Sequence, residues 1–139
     1  MNNGMKTPTL FIVVDDDLVS NMLCRIIIKS AVNDSEIKTF TLPKKGFSYI
    51  EKSYVTTNGQ IPTVLLLDIN MPGLNGWQFL DCFEKLAEKI RTQIEIYMLS
   101  SSMNPKEMER AKSHPQVVDY IVKPLTIKVV TEIILKANR

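Results

Sequence analysis

The sequence has few of the residues that mark several common protein classes. Its 139 residues include two cysteines, Cys24 and Cys82, and a single histidine, His114. Two widely separated cysteines form neither a CxxC metal site nor the dense disulfide framework of a small secreted protein. We therefore expect a reducing, cytoplasmic location, with both thiols buried as small apolar groups. His114 lies in a polar stretch, which predicts a solvated residue and not a metal ligand.

An excess of one charge sign and long apolar runs are also missing. The 17 Lys and Arg residues nearly balance 15 Asp and Glu residues, giving a formal net charge of +2. This balance lacks the basic bias of a nucleic-acid-binding protein. No apolar run approaches the roughly 20 residues of a membrane span, and the start of the chain lacks the apolar core of a signal peptide. We expect no direct nucleic-acid partner and no membrane insertion.

The chain is long enough for one domain, because domains cluster near roughly 100 to 150 residues. We expect a flexible tail over residues 1–8 and a single domain over 9–139. Short apolar runs within it predict strands at 10–14, 63–67, 95–99 and 119–122, and alternating polar and apolar residues predict a half-covered strand near a sheet edge at 36–40. Helical spacing predicts five helices, at 18–31, 43–52, 76–90, 105–113 and 127–138. This alternation indicates an α/β fold with a doubly wound, five-stranded parallel sheet and helices on both faces.

Helix starts and apolar stripes support the predicted helices. Asp17, Asn75 and Asn104 stand at cap positions, with Gln78 completing a capping-box pattern and Pro105 at the first position of its helix. The apolar residues of the first helix that recur at helical spacing are Leu18, Met22, Leu23, Ile26, Ile27 and Ala31. The stripe of the third helix is Trp77, Leu80, Phe83, Ala87 and Ile90. A polar loop containing Asn58 and Gly59 precedes the third strand.

Polar side chains follow four of the predicted strands. Asp15 and Asp16 follow the first strand, Asp68 the third, Ser100 the fourth and Lys123 the fifth. The carboxyl ends of parallel strands share one edge of a sheet, so these residues converge. Three carboxylates repel one another unless a cation lies among them, and hard oxygen ligands favour Mg²⁺. A carboxylate at such a site can also accept a phosphoryl group, with Lys123 and Ser100 contacting its oxygens.

Four segments carry a resemblance to a known family. They are 11–17 (FIVVDDD), 65–76 (LLLDINMPGLNG), 97–102 (YMLSSS) and 119–124 (DYIVKP). Together they resemble the receiver domains of bacterial two-component response regulators, over essentially the whole chain from residue 9 to 137. The resemblance implies a flavodoxin-like receiver fold with strand order 2-1-3-4-5.

The resemblance also implies roles for individual acidic residues. Asp68 matches the phosphoacceptor, Asp16 matches the carboxylate that binds Mg²⁺ directly, and Asp15 matches the one that reaches it through water. Asn70 matches the position whose backbone carbonyl completes the protein ligands. Asn70 and Ser102 are also implied to line access to the phosphoryl group.

Further roles follow on the last two strands. Ser100 matches the hydroxyl that bonds to the phosphoryl group, and Lys123 matches the lysine that neutralises it. Pro124 matches a proline that follows this lysine through a cis peptide. Tyr120 matches the switch aromatic, which is implied to occupy the space that Ser100 leaves.

The implied function is a single-domain response regulator with no enzymatic activity beyond its own phosphorylation and dephosphorylation. The partners would be a sensor histidine kinase or a histidine phosphotransfer protein, and a downstream protein bound at the surface of helix 105–113, strand 119–122 and helix 127–138. Pro124 is followed by enough residues for one helix, so we expect output through protein contacts. Whether phosphorylation also drives dimerisation is left open. Asp119 and Leu125 depart from the family pattern of Gly and Phe, which leaves the partner open.

Two alternatives remain. Asp15 and Asp17 form an Asp-x-Asp pair after an apolar strand, as in haloacid-dehalogenase-like phosphohydrolases, where Asp15 would be the nucleophile. The late acidic motif and the cap insertion of those enzymes are missing. The other alternative is a degenerate receiver that binds partners without phosphate, against which the full set of acids, hydroxyl and lysine argues.

Overall fold

A parallel sheet forms the centre of the fold. The computed structural model describes residues 7–54 and 60–137, and the sheet within these residues has five strands. They are β1 (Leu10–Val14), β2 (Glu36–Phe40), β3 (Thr63–Asp68), β4 (Ile94–Ser100) and β5 (Val117–Val122). Their order is β2-β1-β3-β4-β5, and every neighbouring pair is parallel. The predicted fold class and strand order are confirmed.

Helices cover both faces of the sheet. Those of the described residues are α1 (Leu18–Ala31), α2 (Pro43–Ser53), α3 (Gly76–Phe83), α4 (Glu88–Arg91), α5 (Pro105–Ser113) and α6 (Ile127–Ala137). Buried residues of α2, α3, α4 and α5 belong to one core cluster, and those of α1 and α6 belong to the other. On the surface, the Arg110 guanidinium of α5 lies 4.1 Å from the centroid of the Trp77 ring of α3.

The structure has six helices in its described part, where the sequence predicted five. The predicted third helix ends at Phe83, and the chain turns through i+3 hydrogen bonds from the N–H groups of Lys85 and Leu86. The short helix α4 then brings Ile90 into the core. Ala87 and Ile90 kept the spacing of one continuous helix in the sequence, so periodicity alone could not locate the break.

The central strands explain the continuous apolar runs. Side chains alternate between the two faces of a strand, and both faces of this sheet are covered by helices. Every residue of β1 and β3 is buried as a result, with Ile12 and Leu65 facing one core cluster and Phe11 and Val64 facing the other.

The buried face of α1 differs from the face that the sequence predicted. Helix α1 buries Asn21, Cys24 and Ile28. The Asn21 amide donates to the backbone carbonyl of Asp15 at 2.8 Å and to that of Phe40 at 3.4 Å, which fixes the rotation of the helix. The apolar residues turned outward, each 51% to 63% exposed, are Leu18, Val19, Met22, Leu23 and Ile26.

The single histidine and the cysteines have specific environments. Cys24 is buried, and burial raises the pKa of its thiol to about 11, while Cys82 is only partly buried. The His114 Nε2 lies 2.8 Å from a Glu84 carboxylate oxygen, and its Nδ1 accepts from the N–H of Gln116. The prediction of a solvated His114 is therefore wrong, because the ring links α5 to the turn after α3.

Some predictions fall on residues outside the described part of the chain. They concern most of the tail over 1–8, the loop around Asn58 and Gly59, and the end of the last helix at Asn138. At the described end of the tail, Pro8 is buried and its carbonyl accepts a hydrogen bond from Ser35 at 2.8 Å. Among the helices of residues 7–54 and 60–137, none has the length and apolar content needed to cross a membrane.

Candidate functional site

The carboxyl edge of the sheet brings four of the predicted site residues together. Asp15 follows β1, Asp68 and Ser100 end β3 and β4, and Lys123 follows β5. The Lys123 ammonium lies 2.7 Å from an Asp15 oxygen and 3.4 Å from an Asp68 oxygen. The convergence that the strand pattern predicted is present in the fold, and it joins residues more than a hundred positions apart.

Asp15 is the most extensively bonded acid of the site. Its two oxygens accept hydrogen bonds from the Ser20 hydroxyl at 2.6 Å, the Asp17 N–H at 2.9 Å and the Lys123 ammonium. Burial alone would raise the pKa of this carboxyl, but the bonds from Lys123, Ser20 and Asp17 outweigh it and the pKa is lowered. Asp15 is therefore held as a charged carboxylate.

Asp68 has the opposite electrostatic environment. Burial, together with the negative charge of Asp15, raises its pKa to about 7, although Lys123 acts in the other direction. Burial of the Lys123 ammonium would lower its pKa, but the two carboxylates raise it overall. The described site is thus one positive charge short of balancing its buried acids.

Asp16 completes a cluster suited to a divalent cation. Ligand oxygens of Asp15, Asp16 and Asp68 all lie within 4.8 Å of one another, and the Asp16 side chain is exposed to solvent. Carboxylate oxygens are the ligands that Mg²⁺ prefers, and a cation here would relieve the repulsion that raises the pKa of Asp68. The residues present therefore fit the predicted metal. Asn70, two residues after Asp68, is exposed at the rim of the same edge.

The loop after β3 is shaped by two glycines. Gly73 has a φ of +82°, which favours glycine. A Cβ on Gly76 would lie 2.7 Å from the carbonyl oxygen of Asp68, so the start of α3 can pack against the Asp68 backbone only without a side chain. Asn75 and Gln78 form the predicted capping box, with both hydrogen bonds at 2.9 Å.

A match to a known family accompanies this geometry. The family model described as "Response regulator receiver domain" matches residues 11–135. The chain belongs to this family. Membership sets aside the phosphohydrolase alternative, because the receiver fold and motif order account for the Asp15 and Asp17 pair: Asp15 lies in the acidic cluster, and Asp17 caps α1 through the N–H groups of Val19 and Ser20.

Solved receiver structures resemble this one closely. A two-component response regulator from Cytophaga hutchinsonii has a TM-score of 0.83 and 26% identity, with 95% of this chain and 97% of that chain covered. A receiver protein from Dyadobacter fermentans gives a TM-score of 0.81 at 24% identity, with coverage of 91% and 95%. The second likeness concerns the fold alone.

One curated relative is much longer than this chain. The cyclic di-GMP phosphodiesterase response regulator RpfG of Xanthomonas campestris is 25% identical over 114 residues, which are 82% of this chain and 28% of that protein. This chain therefore spans only a minor share of the length of that relative.

In this receiver domain, Ser100 and Tyr120 meet at a third side chain. The Ser100 hydroxyl lies 3.2 Å from a Glu107 carboxylate oxygen, and the Tyr120 hydroxyl lies 3.0 Å from the same oxygen. Tyr120 also donates to the backbone carbonyl of Ser102 at 2.6 Å and is only 7% exposed. Tyr120, the predicted switch residue, is thus already buried, and both this role and the movement expected of it stay predictions.

Two residues of the receiver site were missed in the sequence. In the sequence, Ser20 resembles any other residue of α1. The feature that could have identified it is its position three residues after the Asp17 cap, one helical turn along, where its hydroxyl faces Asp15. Glu107 occupies the third position of α5, which is typical of a helix-start residue, but the cap bond runs from the Lys106 N–H to Asn104, and the Glu107 carboxylate turns to Ser100. The Lys123–Pro124 peptide bond is cis, as the resemblance implied.

Proposed function

We propose that this receiver domain accepts a phosphoryl group on Asp68 from a histidine kinase or a histidine phosphotransfer protein, and that it signals through protein contacts. The observation that carries the proposal is that Asp68 belongs to the acidic cluster and lies 3.4 Å from the Lys123 ammonium. Positive charge beside Asp68 offsets the repulsion between its carboxylate and the negatively charged phosphoryl group.

The transfer is a substitution at phosphorus. An Asp68 carboxylate oxygen forms a bond to phosphorus while the bond between phosphorus and the donor imidazole nitrogen breaks, and that electron pair returns to the imidazole. The Lys123 ammonium, 3.4 Å from Asp68, can follow the charge that moves to the phosphoryl oxygens. Asp15 holds Lys123 in place at 2.7 Å and keeps it protonated.

The metal that suits the site is Mg²⁺. Asp15, Asp16 and Asp68 would hold it with the backbone carbonyl of Asn70, and it would supply positive charge to the carboxylates and phosphoryl oxygens when bound. Ser20 and the backbone of Asp17 orient Asp15 within this set.

Phosphorylation would change the hydrogen bonds of the switch residues. The new group adds nearly two negative charges near Ser100. We infer that the Ser100 hydroxyl exchanges Glu107 for a phosphoryl oxygen, since the phosphoryl oxygen is the more highly charged acceptor. Among the described residues, Tyr120 is then the partner that Glu107 retains, which shifts the population of α5 positions. The surface of α5, β5 and α6 would present this change to a downstream protein.

The exposed face of α1 is a suitable surface for the phosphodonor. Its five apolar side chains begin directly after Asp17, beside the acidic cluster. Contiguous exposed apolar residues mark interaction surfaces, and a helix of the donor can pack there while its histidine reaches Asp68. This partner, together with the lack of a disulfide framework, supports a cytoplasmic location.

Intact-mass measurement after incubation with Mg²⁺ and phosphoramidate tests the proposal. The wild type should gain the mass of one phosphoryl group, Asp68→Asn should gain none, and Asp15→Asn should be labelled more slowly. An adduct that persists in Asp68→Asn and vanishes in Asp15→Asn would assign the phosphoryl group to Asp15 and refute the proposal. A wild type that is never labelled, with or without a protein donor, would favour the degenerate receiver.

A further inference from the structure

A buried amide of α1 contacts the main chain that carries the acidic cluster. Asn21 is 2% exposed, and its Nδ2 group donates to the backbone carbonyl of Asp15 at 2.8 Å and to that of Phe40 at 3.4 Å. The same Phe40 carbonyl, at the end of β2, accepts the Asp15 N–H at 3.0 Å. Asn21 is thus bonded to the backbone of the first acid of the cluster, and no step of the proposed phosphorylation uses its side chain.

The Asp15 carbonyl belongs to the peptide unit that joins Asp15 to Asp16. A peptide unit is planar, so its orientation fixes one backbone dihedral angle of each residue, ψ of Asp15 and φ of Asp16. These angles decide the directions in which the two carboxylates leave the main chain. A hydrogen bond to this carbonyl therefore acts on both acids at once.

The two acids require a defined peptide orientation because they are consecutive residues. Successive side chains of an extended chain point to opposite faces, yet ligand oxygens of Asp15, Asp16 and Asp68 all lie within 4.8 Å of one another. Asp15 is buried whereas Asp16 is exposed, so the two side chains reach this cluster from different environments. The peptide unit between them must keep one orientation for both carboxylates to meet Asp68.

Asn21 and its neighbour Ser20 hold different parts of the same acid. The Ser20 hydroxyl donates to the Asp15 carboxylate at 2.6 Å, and the Asn21 amide donates to the Asp15 carbonyl. The Asn21 N–H donates in addition to the Asp17 carbonyl at 3.1 Å, at the other end of the short link between β1 and α1. The Oδ1 atom of Asn21 is buried and has no hydrogen-bond partner among the described residues, so the side chain acts through its Nδ2 group.

We propose that Asn21 is a positioning residue for the divalent cation: its amide fixes the peptide unit between Asp15 and Asp16, and thereby the spacing of their carboxylates around the ion. This role rests on the Mg²⁺ site of the proposed function. Mg²⁺ demands near-ideal octahedral geometry at about 2.0 to 2.1 Å, whereas Ca²⁺ accepts roughly six to eight ligands in a flexible geometry. A fixed spacing of the acids therefore favours Mg²⁺ over Ca²⁺. Groups that orient metal ligands commonly change metal affinity by about 10- to 100-fold.

Titration calorimetry of the unphosphorylated protein with MgCl₂ and with CaCl₂ tests this role. Asn21→Leu removes the Nδ2 bonds at similar size, and we expect its Mg²⁺ affinity to fall about tenfold and its Ca²⁺ affinity less than about threefold. The matched control is Gln93→Leu, which removes another 2% exposed amide, bonded to the N–H of Ile61 and the carbonyl of Lys89 near the opposite edge of the sheet. This control should keep the wild-type ratio of the two affinities, because a loss of stability alone affects both ions equally.

Equal falls in the affinities for Mg²⁺ and Ca²⁺ would overturn the role of Asn21, because they are the effect expected from a smaller folded population. Wild-type Mg²⁺ binding by Asn21→Leu would overturn it as well. If Asn21→Leu does not fold, Asn21→Ala carries the same expectations for the same two ions. A wild type that binds no Mg²⁺ would overturn the proposed metal site together with this role, whereas equally tight Mg²⁺ binding by wild type and variant would overturn the role of Asn21 alone.

Discussion

The raised pKa of Asp68 predicts that its carboxylate destabilises the metal-free protein at neutral pH. In the folded state the pKa is about 7, against an ordinary value of 3.8. A group whose folded pKa is raised binds more protons in the folded than in the unfolded state between these two values, so stability falls as pH rises through this window. Asp68→Asn removes the titrating group while keeping its shape.

The expected change in unfolding free energy follows from the difference between pH 5 and the pKa of Asp68 in the folded state. Between pH 5 and a pKa of about 7, two pH units at about 1.4 kcal/mol each correspond to about 3 kcal/mol. Relative to wild type, Asp68→Asn should therefore gain about 2 to 3 kcal/mol of unfolding free energy between pH 5 and pH 8. Titrating groups distant from Asp68 are shared by the two proteins, so their contributions cancel in the difference.

Urea unfolding in the presence of a chelator measures this difference at both pH values. With slopes of about 1 to 3 kcal/mol per molar urea, the separation between the two unfolding midpoints should change by about 0.7 to 3 M between pH 5 and pH 8. Mg²⁺ at pH 8 should stabilise the wild type and leave Asp68→Asn nearly unchanged. The reasoning would be refuted if the stability difference between the two proteins were the same at pH 5 and pH 8.

Three further predictions concern the loop, the switch and α1. Gly76→Ala should lower the free energy of unfolding by about 1 to 3 kcal/mol and slow labelling by phosphoramidate, because the added Cβ would meet the backbone of Asp68. Gly73→Ala should lower the free energy of unfolding by about 1 kcal/mol through its positive φ alone. Thermal unfolding measures the loss of stability, and intact mass measures the rate of labelling. Glu107→Gln should lower the phosphoramidate concentration that labels half of the protein about fivefold, because the Ser100 hydroxyl then leaves a neutral acceptor and not a carboxylate when it bonds to the phosphoryl group. The same substitution at exposed Glu109 should not change this concentration. Met22→Asp should keep phosphoramidate labelling and slow transfer from a phosphotransfer protein about tenfold or more; equal transfer rates would exclude this face as the docking surface.

The strands were the most predictable part of the fold. The predicted strands at 10–14 and 36–40 match β1 and β2 to the residue. In β1 the signal is a continuous apolar run, which a strand covered on both faces requires, and in β2 it is the alternation of polar and apolar residues in a strand at the sheet edge. The face of α1 was not predictable in this way. Apolar residues occur around most of its circumference, and its rotation depends on the bonds from Asn21 to two carbonyls, one of them on β2.

The site was predictable where it depends on strand ends. Asp15, Asp68, Ser100 and Lys123 converge because parallel strands end at one edge, a rule that needs no side-chain detail. Glu107 shows where this inference stops. Its sequence position suits a helix start, and only the packing of α5 against β5 reveals that its carboxylate contacts Ser100 and Tyr120.

The contact between Trp77 and Arg110 also makes the protein suited to optical measurement. Trp77 is the only tryptophan in the sequence, so its indole emission is a single signal from a known place. The guanidinium 4.1 Å away belongs to α5, whereas the indole belongs to α3. Any displacement between these helices alters the electric field at the indole, and the fluorescence of the unlabelled protein therefore reports the position of α5 in real time.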